Sequence, residues 1–232
     1  MKRAITCSLV IGFMLGIFQQ TIATTSKNET DGMHFQEVKI ALAGSAETKA
    51  DYFTGKFARA IILAPGAMFN KESWHFLAQR FQESGISSVA LNSGSRPDLL
   101  NAIEFLKKKG VKKITLLGAS VGGAGVLFAL QDTVNPLVDS VILLAPAGGR
   151  PILSEQVKKL FIVAEDDMVS SNAEVYKLYM NSSGPKLYKE FKGSDHAQHL
   201  FNSRHKEAVV QLIIGFIENQ PGGIYEPDHS SR

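Results

Sequence analysis

Five short stretches of this chain carry almost no polar side chain: residues 60–64, 89–91, 114–117, 141–145 and 160–164, with Thr115 the one exception. A strand with one face in water alternates apolar and polar residues. A strand without that alternation is buried on both faces, as in a parallel sheet covered by helices. Segments with helical spacing lie between these stretches. Trp74, Leu77, Ala78 and Phe81 stand at i, i+3, i+4 and i+7, and Gly85 offers a stop. Pro97 suits a first helical turn, Leu99, Ile103 and Leu106 form an inner stripe, and Gly110 ends it. Val209, Val210, Ile213, Ile214 and Ile217 predict a final helix rich in core residues. Near the start, Val38, Ile40 and Leu42 alternate with Lys39 and Ala41, which predicts a half-buried strand, and residues 48–53 can pair with it as a hairpin. The expectation is an α/β domain: a mostly parallel, doubly wound sheet flanked by helices, with an antiparallel start. At 232 residues the chain suits one domain with a single core.

The two ends read differently from the middle. Lys2 and Arg3 precede an apolar stretch over residues 4–18, followed by polar Gln19, Gln20 and Thr21 and by the small residue Ala23. This is the pattern of a signal peptide over residues 1–23 and predicts export, periplasmic or secreted. The apolar stretch falls short of the ~18–20 residues a membrane-spanning helix needs, which argues against an uncleaved anchor. Residues 24–33 are expected to form a loose polar leader, 34–219 the folded domain, and 220–232 a frayed tail rich in Pro and Gly. Cys7 is the only cysteine and lies in the signal, so the mature chain is expected to have no disulfide and no cysteine nucleophile. The formal charge is +3, from 25 basic and 22 acidic residues; two of the basic ones, Lys2 and Arg3, leave with the signal, so the mature net is +1. That balance gives no electrostatic case for nucleic acid. The run Lys107, Lys108 and Lys109 fits a helix end, where cations complement the dipole.

The strongest chemical signal is Gly118-Ala119-Ser120-Val121-Gly122-Gly123, placed between the strand at 114–117 and a helical stretch through Val126, Leu127 and Leu130. A serine on a tight strand–turn–helix corner exposes its hydroxyl, and the glycines permit the corner because a Cβ there would crowd its neighbours. No Lys or Ser/Thr follows to complete a phosphate-binding loop. A serine hydroxyl needs a base to take its proton and a carboxylate to orient that base. The expected order is Ser, acid, His, and the chain supplies it. The strand at 160–164 ends in Glu165-Asp166-Asp167, and the next, near 187–191, ends in Gly193-Ser194-Asp195-His196.

His196 is the candidate base, since it sits in the loop just after the last strand and ahead of the last helix; His199, close by, is the fallback. His34 lies near the leader and His229 in the tail, while His75 and His205 read as helix-surface residues. Asp167 is the candidate acid because it lies farthest into its loop, with Asp166 second; Asp195 adjoins His196 in sequence, where neighbours rarely aim side chains at one another. An oxyanion needs backbone donors. Val121, directly after the serine, supplies one, and the loop Pro65-Gly66-Ala67-Met68-Phe69-Asn70 another, through Ala67 or Met68.

Taken together, Pro65-Gly66-Ala67, the Ser120 corner, Asp167 with Val169, and Gly193 to His196 make the chain resemble the α/β-hydrolase family. The likeness spans from about Ala60 to the final helix. It implies the α/β-hydrolase fold and acyl transfer through an acyl-enzyme on Ser120, with no metal or cofactor. Few residues separate the strand ending at Ala145 from the next, so the lid domain of many members has no room here. The chain looks like the small lidless members, such as dienelactone-hydrolase-like proteins and small esterases. It departs from the family in having Pro65 where many relatives have His, and from dienelactone hydrolases in having Ser120 in place of cysteine. The expected substrate is a small-molecule ester with a small or exposed acyl group. A thioesterase, amidase or peptidase using the same three residues, or an exported binding protein without catalysis, are the alternatives.

Overall fold

The computed structural model describes residues 26–30, 33–41, 46–56, 58–131 and 135–218. The expected signal peptide over residues 1–23, the tail from residue 219 onward and Leu42 lie outside these described residues. The strands are β1 (Ser26–Thr30), β2 (Met33–Ile40), β3 (Thr48–Phe53), β4 (Arg59–Ala64), β5 (Ser87–Leu91), β6 (Lys113–Ala119), β7 (Val138–Leu144), β8 (Lys158–Ala164) and β9 (Lys186–Phe191). They form one sheet in the order β1-β2-β3-β5-β4-β6-β7-β8-β9. The first three strands and the β3–β5 pair are antiparallel; from β5 to β9 every neighbouring pair is parallel.

Each unalternating stretch is a strand buried on both faces. In β4, β5, β6, β7 and β8 nearly every residue is buried. Thr115, the one polar residue of the five apolar stretches, pairs its hydroxyl with Ser140 on β7 at 2.8 Å, so it costs the core no unsatisfied group. Alternation appears in β2, where Phe35, Val38 and Ile40 are buried and Lys39 is exposed.

The helices are α1 (His75–Glu83), α2 (Arg96–Lys108), α3 (Val121–Ala129), α4 (Asn172–Asn181) and α5 (Lys206–Glu218). Trp74, Leu77, Ala78 and Phe81 are fully buried, although Trp74 belongs to a short 3-10 turn, Lys71–Trp74, that leads into α1. Chain direction explains the layering. The β4–α1–β5 crossover runs one way along the sheet and β5–α2–β6 the other, so right-handed connections place α1 and α2 on opposite faces. Arg80 of α1 pairs with Glu207 of α5 at 2.8 Å, and α2 packs on α3. The reversal falls at β4, and the carboxyl ends of β4 and β6 there are where ligands bind in open sheets of this kind.

Three expectations need correction. The leader was expected to be loose, but Ser26–Thr30 is a strand, paired antiparallel with β2. A polar sequence can do this because an edge strand presents unpaired backbone groups that any extended segment can satisfy. His75 was expected on a helix surface. It is instead half-buried, with its ring 4.8 Å from that of Phe35 and its Nε2 2.7 Å from Asp51. His205 likewise stands just ahead of α5, its Nε2 2.8 Å from the Lys192 carbonyl.

Residues 145–157, between β7 and β8, form no helix, strand or lid. Lys159 fastens this connection from beneath. It is fully buried, and its Nζ donates to the carbonyls of Ser154, Val157 and Ser183 at 2.6, 2.6 and 2.5 Å.

Candidate active site

Strand β6 ends at Ala119 and α3 begins at Val121, leaving Ser120 alone to turn the chain. Its backbone sits at φ 51°, ψ −118°, a region that L-residues with side chains rarely occupy. Hydrogen bonds on both sides hold it there: the Ser120 N–H donates to the Leu144 carbonyl, and the Ala147 N–H to the Ser120 carbonyl, each at 2.9 Å. The glycines are a steric requirement. A Cβ on Gly118 would lie 2.5 Å from the Gly122 carbonyl oxygen, and one on Gly122 would lie 2.4 Å from that of Ala64. Because Gly122 has none, the start of α3 lies against the end of β4 and the loop that follows it.

The other two residues arrive from loops at the same edge of the sheet. Asp167 lies past the end of β8, and its loop is tied to the one past β9 by the Asp166 N–H, which donates to the Gly193 carbonyl at 2.9 Å. Asp167 is buried, with Oδ1 accepting the N–H groups of Val169 and Ser170, each at 2.9 Å. His196 Nδ1 is 2.8 Å from Asp167 Oδ2, and its Nε2 is 2.9 Å from Ser120 Oγ. A carboxylate only accepts, so Nδ1 carries the hydrogen and Nε2 offers its lone pair to the serine hydroxyl. Of the alternatives, Asp166 is exposed on the turn, and His199 is an exposed residue whose ring lies edge-to-face with that of Phe69, 5.2 Å between centroids.

The loop after β4 closes a turn in which the Phe69 N–H donates to the Gly66 carbonyl at 3.0 Å. Among the described residues the N–H groups of Ala67, Met68 and Val121 have no hydrogen-bond acceptor. The Gly66 N–H does have one: Gln198 Oε1 at 2.8 Å. Gln198 escaped the reading of the sequence. Its one signal there is its place two residues after His196, on the short 3-10 helix Ala197–Asn202.

A cleft of about 500 Å³ lies over Ser120 and His196, walled by Met68, Phe69, Val169 and His199. A second, of about 740 Å³, opens on the far side of Gly66 and Ala67 along α3 and contains Val121 and Phe128 but neither Ser120 nor His196. The first is the one the chemistry faces. Among the described residues no cluster of three or more His, Cys, Asp or Glu could hold a metal ion, and no helix is long and apolar enough to cross a membrane.

No family model matches this chain, and no curated protein matches it in sequence. Solved structures do match it in shape. The esterase domain of a Rhodothermus marinus protein superposes with a TM-score of 0.67 at 16% identity, covering 80% of this chain and 98% of that one. A dienelactone hydrolase from Anabaena variabilis gives 0.66 at 18% identity, over 80% and 97%. A carboxylesterase from Bacillus subtilis gives 0.65 at 14%, over 83% and 94%. The chain has the α/β-hydrolase fold. The Ser120 corner lies between the sixth strand and third helix of this chain. As the short spacing after Ala145 implied, the connection between β7 and β8 forms no lid among the described residues.

Proposed function

We propose that this chain is an exported serine hydrolase that cleaves carboxylic esters through an acyl-enzyme on Ser120. The observation that carries the reading is the continuous hydrogen-bonded line Asp167–His196–Ser120, with steps of 2.8 and 2.9 Å. Ser120 Oγ attacks the ester carbonyl carbon while its proton passes to His196 Nε2. The carbonyl oxygen becomes an oxyanion, which accepts from the N–H of Val121 and from that of Ala67 or Met68. The tetrahedral adduct collapses, the C–O bond to the leaving group breaks, and the alkoxide takes the proton from His196. Water then gives a proton to His196 and attacks the acyl carbon; the acid departs and Ser120 recovers its hydrogen. Asp167 keeps its charge throughout and steadies the imidazolium.

The open cleft and the absence of a lid among the described residues favour small or exposed acyl groups. Export is supported by the charged start and apolar stretch of residues 1–23, and an exported form beginning at Thr24 is the expected product. A fluorophosphonate probe should label the wild-type protein and leave Ser120→Ala unlabelled, and p-nitrophenyl esters should be cleaved faster as the acyl chain shortens. An unlabelled wild type, active on no ester, would sink the proposal.

A further inference from the structure

We propose that Gln198 is a positioning residue, a buried strut that sets the loop after β4 for oxyanion binding and ties it to the loop carrying His196. The inference rests on the hydrolase reading above. Gln198 is 4% exposed, and both ends of its amide are used. The Gly66 N–H can only donate, so the atom facing it at 2.8 Å is Oε1, which fixes the amide orientation. Nε2 then faces Ser73 Oγ at 2.9 Å, and the Ser73 hydroxyl spends its own hydrogen on the Asn70 carbonyl at 2.5 Å. One side chain therefore grips residues 66 and 73, the two ends of the segment that holds the Gly66–Phe69 turn.

The placement makes this grip consequential. A Cβ built on Gly66 would touch both Ser120 Cβ at 3.5 Å and Gln198 Oε1 at 3.6 Å, so strut, turn and proposed nucleophile are in one packed contact. With the Gly66 N–H taken, the groups left free to face an oxyanion are those of Ala67, Met68 and Val121. The backbone between base and strut is unusual too: Ala197 has φ 49°, a left-handed value rare for alanine. That twist lets His196 aim at Ser120 and Gln198 at Gly66 from almost adjacent positions. The His199 ring edge on Phe69 adds an apolar contact between the same two loops.

Losing the strut would leave a buried N–H without a partner and the turn free to shift. Displacing a group by about 1 Å can cost up to ~100-fold in rate, so Gln198→Met, similar in length but without the amide, should lower kcat roughly 10- to 100-fold. Because the oxyanion forms only in the transition state, KM should move by less than about threefold. Ser73→Ala removes the far anchor alone and should cost about two- to fivefold in kcat, with KM again held.

The measurement is steady-state kinetics on p-nitrophenyl acetate with the rate of fluorophosphonate labelling, on full-length protein whose folding is checked by thermal melting. A folded Gln198→Met with unchanged kcat, or with KM raised as much as kcat is lowered, overturns the role of Gln198. Should that variant not fold, unchanged kcat in Ser73→Ala overturns it instead. The parent reading fails separately, through a wild type that neither labels nor turns over.

Discussion

Among the described residues two histidine–aspartate pairs stand out, and their surroundings differ. His196 sets Nδ1 against Asp167 at 2.8 Å and turns Nε2 to the Ser120 hydroxyl. The Asp167 carboxylate is held by the backbone N–H groups of Val169 and Ser170, and among the described residues no lysine or arginine pairs with it. His75 sets Nε2 against Asp51 Oδ2 at 2.7 Å, but the other Asp51 oxygen is 2.6 Å from Lys71 Nζ. Its ring also packs on Phe35 and Phe53, at 4.8 and 5.4 Å between centroids. A histidine–aspartate contact is therefore not a catalytic signature. What distinguishes the two is a hydroxyl on the far nitrogen and a carboxylate whose charge no cation has already neutralised.

Substitutions at matched positions can break this contrast. Ser120→Ala should lower kcat by roughly 10⁴–10⁶ on p-nitrophenyl esters and leave the melting temperature no lower; a smaller fall means another nucleophile. Asp167→Asn should cost on the order of 10⁴ in kcat, since an amide can hold the ring in the wrong tautomer. Asp51→Asn should do the reverse. It strips a buried lysine of its closest counter-ion and should cost about 3 kcal/mol in a denaturant titration, with kcat within about threefold. If Asp51→Asn instead abolished turnover in a folded protein, the two pairs would not be separable.

The smallest effect is one of pH. Burial alone would lower the Lys71 pKa, but its hydrogen bonds and charge attraction to Asp51 and Glu37 together outweigh burial, and the net direction is up from the ordinary 10.5. A lysine held more tightly protonated in the fold stabilises it at all pH below the unfolded value, and that stability is lost as pH rises through the higher folded value. The stability gap between wild type and Lys71→Met should thus be flat through neutral pH and shrink only above about 10.5. A gap that shrinks near pH 7 would mean that Lys71 does not set the pH dependence of the cluster.

Much of the candidate site was legible in the sequence because its logic is local. A glycine-flanked serine must follow a strand and open a helix, and the Ser–acid–His order follows from the strand order of the sheet. Asp167 could be preferred to Asp166 because the residue farther into the loop is the one that turns inward. What stayed hidden depends on contacts between distant segments. Asp51, Lys71 and His75 look like ordinary surface charges until β3 and the start of α1 are brought together. Gln198 is 132 positions from Gly66, and no periodicity links them. Ser26–Thr30 has no apolar pattern in its sequence to announce its pairing with β2.

The backbone at Ser120 has a cost that the rest of the fold must carry. Its torsion angles belong to a part of conformational space that glycine enters freely and serine enters at about 1–3 kcal/mol. A Ser120→Gly chain should therefore melt at a higher temperature than the natural one while hydrolysing nothing. A screen for robustness alone would select that change first, and with it remove the proposed nucleophile.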